Sequence, residues 1–202
     1  GKVVQQLGKD RKKFYQFSTL LDQATTKAAN EAFKVIEETH GFSYDKLPIC
    51  PVVLGGDDLT AIIRGDLAMP YAQKFITEFE RETSQGEMKN LLSKANMTKL
   101  TACGGIAYIK ASFPFYYGYK LAEELCHAAK TDAKAINKEN VPSCLMFHKV
   151  QDSFVQSYKD IKARELELKP KDDGKGKTAN NGQDEPAKLK KTLCFGPYYL
   201  GE

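Results

Sequence analysis

The stretch Pro51-Val52-Val53-Leu54-Gly55-Gly56-Asp57-Asp58-Leu59-Thr60-Ala61-Ile62-Ile63-Arg64 decides how this chain is read. Two apolar runs rich in Val and Ile flank a tip of two glycines and two aspartates, which predicts two strands joined by a tight turn. Glycine adopts positive φ without steric cost and lets backbone N–H groups approach a ligand. Aspartate carboxylates are hard oxygen donors suited to magnesium, which takes one or two carboxylates beside waters and substrate phosphates. Successive strand residues point to opposite faces, so one of Asp57 and Asp58 is expected to point fully into such a site, with Asp57 the firmer ligand. The same residue types also build ordinary turns. From the tetrapeptide alone, a metal site and a simple turn are both open.

Working outward, residues 10–38 carry Phe14, Phe17, Leu21, Ala24, Ala28, Ala32 and Ile36 at helical spacing, with Gly41 as a stop. After the hairpin, Asp66 is a fair N-cap for a helix from about Ala68 to Glu82, with Ala68, Tyr71, Phe75 and Phe79 on one face. Residues 83–98 are polar and read as a loop with a short helix. Leu100 to Ile109 reads as a strand whose Gly104-Gly105 signals a bulge or a close backbone approach. Pro114 opens a helix to about Asn137, with Tyr117, Leu121, Leu125, Ala128 and Ile136 inward. Ser143 to Phe147 reads as another strand, and Gln151 to Leu168 as weakly helical.

This order matches most of a βαββαβ ferredoxin-like unit, an α+β fold with an antiparallel sheet and helices on one face. The unit should open with a strand before the first helix, and Gly1 to Gly8 offer only a short apolar run. Three segments are expected: a domain over residues 1–168, a flexible linker or loop over 169–191, and an apolar strip over 192–202. The second is almost free of large apolar residues and cannot bury enough surface to order itself. The third starts a downstream element or docks back on the domain.

Composition narrows the function classes. The 202 residues carry 42% hydrophobic residues and a net charge of +4, so there is material for a core but no charge argument for nucleic-acid binding. No apolar run approaches the roughly 18 residues of a membrane span. No basic-then-apolar leader is visible. The five cysteines, Cys50, Cys103, Cys126, Cys144 and Cys194, show no CxxC pair, and read as small buried hydrophobes in a reducing, cytoplasmic compartment.

Other candidates are weaker. Cys144 and His148 would share a strand face as two metal ligands, yet no second half-site exists, and packing explains them better. Cys126-His127 lacks a partner acid, which argues against a thiol nucleophile. Phe113, Phe115, Tyr116, Tyr117 and Tyr119 form an aromatic cluster that would stack on a base or on single-stranded RNA, or simply pack at a helix start.

Four segments taken together resemble the palm domain of the CRISPR type III effector large subunit, the GGDD polymerase/cyclase that makes cyclic oligoadenylates. They are Val52 to Leu59, then Thr101-Ala102-Cys103-Gly104-Gly105-Ile106-Ala107. Next comes Phe113-Pro114-Phe115 leading into Leu121-Ala122-Glu123-Glu124-Leu125 and Ala128-Ala129-Lys130, and last Ser143-Cys144-Leu145-Met146-Phe147-His148. They keep the family's order over residues 1 to about 160. GGDEF diguanylate cyclases belong to the wider group.

The resemblance implies an enzyme, a nucleotidyltransferase that binds ATP and two Mg2+ or Mn2+ ions and joins the 3′-hydroxyl of one ATP to the α-phosphate of another. It implies Asp57 as metal ligand, Asp58 as an aid to metal or incoming hydroxyl, and Gly55 and Gly56 against the nucleotide. It implies Lys130 and Lys134 as triphosphate contacts, and i and i+4 share a helix face. The partners implied are other subunits of a ribonucleoprotein with guide and target RNA, with no membrane. These palms carry a further acidic ligand at the end of a first strand, and Gly1-Lys2-Val3-Val4 resembles the family's segment just after that strand. The expectation is a chain that starts beyond the strand, leaving a gap in the sheet. The family's HD nuclease motif is not seen at His40, His127 or His148. Two alternatives are a non-catalytic module that holds nucleotide or makes subunit contacts, and a GGDEF-like cyclase using GTP. Asp58 and Leu59, where that motif has Glu and Phe, count against the latter.

Overall fold

The computed structural model describes residues 10–39, 41–151, 157–167 and 196–200. The expected linker over 169–191, the strip over 192–195, the short run before Asp10, His40 and Cys194 lie outside these residues. The chain runs α1 (Arg11–Glu37), β1 (Ile49–Gly55), β2 (Asp58–Ile63), α2 (Gly65–Thr83) and α3 (Gly86–Ser93). It continues as β3 (Cys103–Tyr108), α4 (Phe115–Ile136), β4 (Cys144–Lys149), α5 (Tyr158–Ile161), a π-helical turn (Lys162–Leu166) and β5 (Tyr198–Tyr199). This is an α+β fold of the palm-like, ferredoxin-like kind.

Asp10 caps α1, its carboxylate accepting from the N–H groups of Lys12 and Lys13 at 3.1 and 3.3 Å. The buried stripe of α1 runs through Phe17, Ala24, Thr25, Ala28, Ala29, Ala32 and Ile36. Its small residues let α2 lie close along it, with Phe79 packed on Ala24 and Ala28. Further along, Ala32 and Ile36 meet Leu67 and Tyr71 of α2, and Leu59, Ala61 and Ile63 of β2 close that core from the hairpin side. Helix α3 caps the other end through Met88, Leu91 and Leu92 against Phe17.

The strands form two sheets. Strands β1 and β2 are an antiparallel pair from Ile49↔Ile63 to Gly55↔Asp58, with an irregularity between Pro51 and Val53. Pro51 has no N–H to give, and it sits on an edge strand, where that loss is tolerated. The second sheet is β3–β4–β5. Against the expectation of an antiparallel sheet, one pair differs: β3 and β4 are parallel, from Cys103↔Cys144 to Tyr108↔Lys149. The reason is α4, since a helical crossover between neighbouring strands brings the chain back in the same direction. Strand β5 pairs antiparallel with β4 through Cys144↔Tyr199. Among the described residues, β2 pairs only with β1 and β3 only with β4.

Helix α4 packs Leu121, Leu125, Ala129 and Ala133 on β3 and β4, in a core shared with Tyr158 and Ile161. The expected close approach at Gly104-Gly105 is present. A Cβ on Gly105 would collide with the Ala122 carbonyl oxygen and the Cys126 nitrogen of α4, and one on Gly104 would sit 2.6 Å from Leu145. The strand register runs without a bulge there.

Several expectations are corrected. Asp66 is not the cap of α2: the helix begins at Gly65 after Arg64, and Asp66 lies in the first turn, clamped by the Arg64 guanidinium at 2.7 and 2.9 Å. A carboxylate there still complements the helix dipole. Phe14 is 48% exposed, and Tyr117 and Ile136 point outward at 39% and 64%. The inward stripe of α4 is set by Gly118, one residue past Tyr117, and ends at Ala133. Cys50, expected inside, is exposed on the edge strand.

Candidate active site

The tip of the β1–β2 hairpin is the two-residue turn Gly56-Asp57, closed by Gly55↔Asp58. Gly56 has φ +60, whereas Asn96 is the one non-glycine at positive φ among the described residues. A positive φ at the first central position only is the type II′ pattern, which favours glycine there and matches the strand twist. Asp57 and Asp58 are both exposed.

The turn does not stand alone. The N–H of Gly56 donates to Oδ1 of Asp22 at 2.9 Å, and its carbonyl oxygen accepts from the Thr25 hydroxyl at 2.6 Å. Asp22 and Thr25 are three apart on α1, hence neighbours on one helix face. Neither was singled out in the sequence. Thr25 is a polar residue within an otherwise apolar stripe, which marks it in the sequence but not the loop it meets; in the structure it is 1% exposed.

Lys130 and Lys134 lie on the exposed side of α4, one turn apart. The seat of α4 on β3 is fixed by Gly105, so the lysines are placed by a backbone contact. Cys126 ties this helix to β3, its thiol donating to the Cys103 carbonyl oxygen at 3.2 Å. Burial raises its pKa, the charge of Asp58 pushes the same way, and Lys130 opposes. Asp58 and Lys130 are thus both within electrostatic reach of one thiol. Asp58 also reaches Tyr119, whose phenol donates to Glu123 at 2.7 Å and is raised chiefly by that bond. Both lysines reach Cys103. Its thiol is brought from an ordinary 9.0 down to about 7, chiefly because Cys144 donates to it at 3.6 Å. Cys144 is pushed up by the same bond. Among the described residues, the side chains of Asp57, Asp58, Lys130 and Lys134 make no hydrogen bond or ion pair. The charges of Lys74, Glu78 and Arg81, by contrast, are spent on one another.

Among the described residues, no group of three or more His, Cys, Asp or Glu side chains converges as a metal cage. Cys144 is buried beneath α4, its sulfur 3.4 Å from the Ala129 carbonyl oxygen, and His148 is half-buried, its pKa lowered by that burial. Neither has a ligand set around it. In the aromatic cluster, Phe115, Tyr116 and Tyr117 stay largely exposed, paired as Phe115–Tyr119 and Tyr116–Tyr117 with ring centroids 6.1 and 5.4 Å apart.

The family model for the Cas10/Cmr2 second palm domain matches residues 1–140, which hold the hairpin, β3 and α4. The chain belongs to this family. It is a nucleotidyltransferase-like module of CRISPR type III effectors, which assemble with other subunits. No curated protein matches the chain. No helix among the described residues of this palm is long and apolar enough to cross a membrane.

The donor set of this Cas10/Cmr2 palm fits a magnesium-like ion. Two exposed hard-oxygen donors at one turn are what Mg2+ takes from a protein when waters and substrate phosphates complete its shell. Asp57 and Asp58 would hold it.

Proposed function

We propose that this palm catalyses nucleotidyl transfer between ATP molecules and yields cyclic oligoadenylates. The observation that carries the reading is the tip itself: adjacent carboxylates without partners, on a turn held by α1, within electrostatic reach of the lysine-bearing helix α4. A divalent ion bound there supplies charge neutralisation at the reacting phosphate. The nucleotide lies against Gly55 and Gly56, whose lack of a Cβ lets it approach the turn closely. Lys130 and Lys134 hold the departing β- and γ-phosphates by charge. The 3′-oxygen of one ATP forms a bond to the α-phosphorus of the next, and the bond from that phosphorus to pyrophosphate breaks. The hydroxyl proton leaves towards Asp58 or water. Most of the catalytic effect in such a transfer comes from positioning and electrostatics.

A second reading is favoured by one observation, the lack of a three-ligand cage among the described residues. It is a palm that holds nucleotide without turning it over. The test is incubation of the protein, assembled in its effector with guide and target RNA, with labelled ATP or GTP and Mg2+ or Mn2+. Oligoadenylates that disappear in Asp57→Ala support transfer. Tight ATP binding without product supports the second reading, and a preference for GTP supports a diguanylate-cyclase-like enzyme.

A further inference from the structure

Asp57 and Asp58 are exposed at the turn, and a two-residue turn at the end of a two-stranded ribbon has little of its own to hold it still. Both polar groups of Gly56 are nevertheless taken, one by each of two α1 side chains. Thr25 is the more telling. The other threonines that hydrogen-bond in or just after a helix donate to the carbonyl four residues back, as Thr39, Thr77, Thr83 and Thr131 do. That is the usual outlet for a helical hydroxyl. Thr25 leaves its own helix and reaches the tip, 31 residues away in sequence. Asp22, one turn earlier, meets the same residue from its N–H side, and its Oδ1 lies 3.6 Å from where a Cβ on Gly55 would be.

We propose that Asp22 and Thr25 are positioning residues that clamp Gly56 by its N–H and its C=O. They fix the direction in which the next residue, Asp57, presents its carboxylate. This rests on the tip being the metal and nucleotide site. The role of Asp22 is that of a hydrogen-bond acceptor rather than a charge, because what it meets is a backbone N–H. Thr25 acts as a donor, and its methyl fills the buried α1 face. The clamp joins the tip to the helix that also packs on α2 and β2, so the carboxylates are referenced to the core rather than to the ribbon alone.

The test compares Asp22→Ala, Asp22→Asn, Thr25→Val and Thr25→Ser in the full chain. Three quantities are measured: amide hydrogen exchange at Gly56 by NMR, Mn2+ affinity from the EPR signal of free Mn2+, and thermal midpoint. Asp22→Ala and Thr25→Val are expected to speed Gly56 exchange by about tenfold or more and to weaken Mn2+ binding several-fold. Asp22→Asn keeps the acceptor and Thr25→Ser the donor, so both should stay within about twofold of the parent. Unchanged exchange and Mn2+ affinity in Asp22→Ala and Thr25→Val would overturn the clamp. So would Asp22→Asn as damaging as Asp22→Ala, which would make the charge the active feature. A parent chain that binds no Mn2+ overturns the metal reading of the tip, and the exchange rates then decide the clamp by themselves.

Discussion

The hydroxyl of Ser143 donates to Oε1 of Glu80 at 2.5 Å, joining α2 to the residue that leads into β4. The same hydroxyl accepts the Ala102 N–H at 3.0 Å, and the other Glu80 oxygen meets Lys99 at 2.7 Å. One serine, 1% exposed, thereby links the α1–α2–hairpin half to the β3–β4 half. Ser143→Ala removes a donor from a carboxylate and an acceptor from a backbone N–H. The expected loss is about 1–3 kcal/mol in urea unfolding. Lys99→Ala, breaking only the outer, half-exposed contact, should lose no more than about 1 kcal/mol.

Gly105 is irreplaceable for a different reason. A single methyl there meets backbone atoms of α4, which cannot rotate away. Gly105→Ala should destabilise by about 1–3 kcal/mol or more, read from the urea midpoint. Gly104→Ala meets only the end of the Leu145 side chain and should be milder.

Glu78 gives the fold a pH dependence. Its carboxyl sits below its ordinary 4.5, chiefly through Lys74 at 2.8 Å and then Arg81 at 2.6 Å. A carboxyl depressed in the folded state adds stability above its unfolded pKa, and that stability is lost as pH falls through the folded value. The difference in unfolding free energy between the parent and Glu78→Gln should be constant above about pH 5 and shrink below it. A difference that stays flat down to acid unfolding would remove the ion pairs from the account.

For the proposed transfer, Lys130→Ala and Lys134→Ala should each raise the KM for ATP by about tenfold. Asp57→Ala should lower kcat by at least about a hundredfold. All three side chains are exposed, so the thermal midpoints should barely move.

The helices were readable because apolar spacing is a local signal: Leu121 and Leu125 mark the core face of α4 on their own. The hairpin was readable from its Gly and Asp tip. Where periodicity met the end of a core it overshot, as at Phe14 and Ile136, because the pattern continues after the packing partner stops. The clamp on the tip was out of reach for another reason. Asp22 and Thr25 act on a residue more than thirty positions away, and neither spacing nor composition encodes which loop returns to a helix face. The parallel pairing of β3 and β4 was implicit in the helix between them.

The contact at Gly105 divides the molecule mechanically. Helix α4 and strand β3 touch backbone to backbone, so Lys130 and Lys134 travel with the sheet as one stiff block. The carboxylates of Asp57 and Asp58 sit on a ribbon moored to α1 by two side chains. In the proposed site, a change of gap between cation and anion as a triphosphate enters or leaves would be taken up on the hairpin side. A sensor of occupancy, whether a fluorophore or a partner subunit, would read most from the tip and least from the lysine helix.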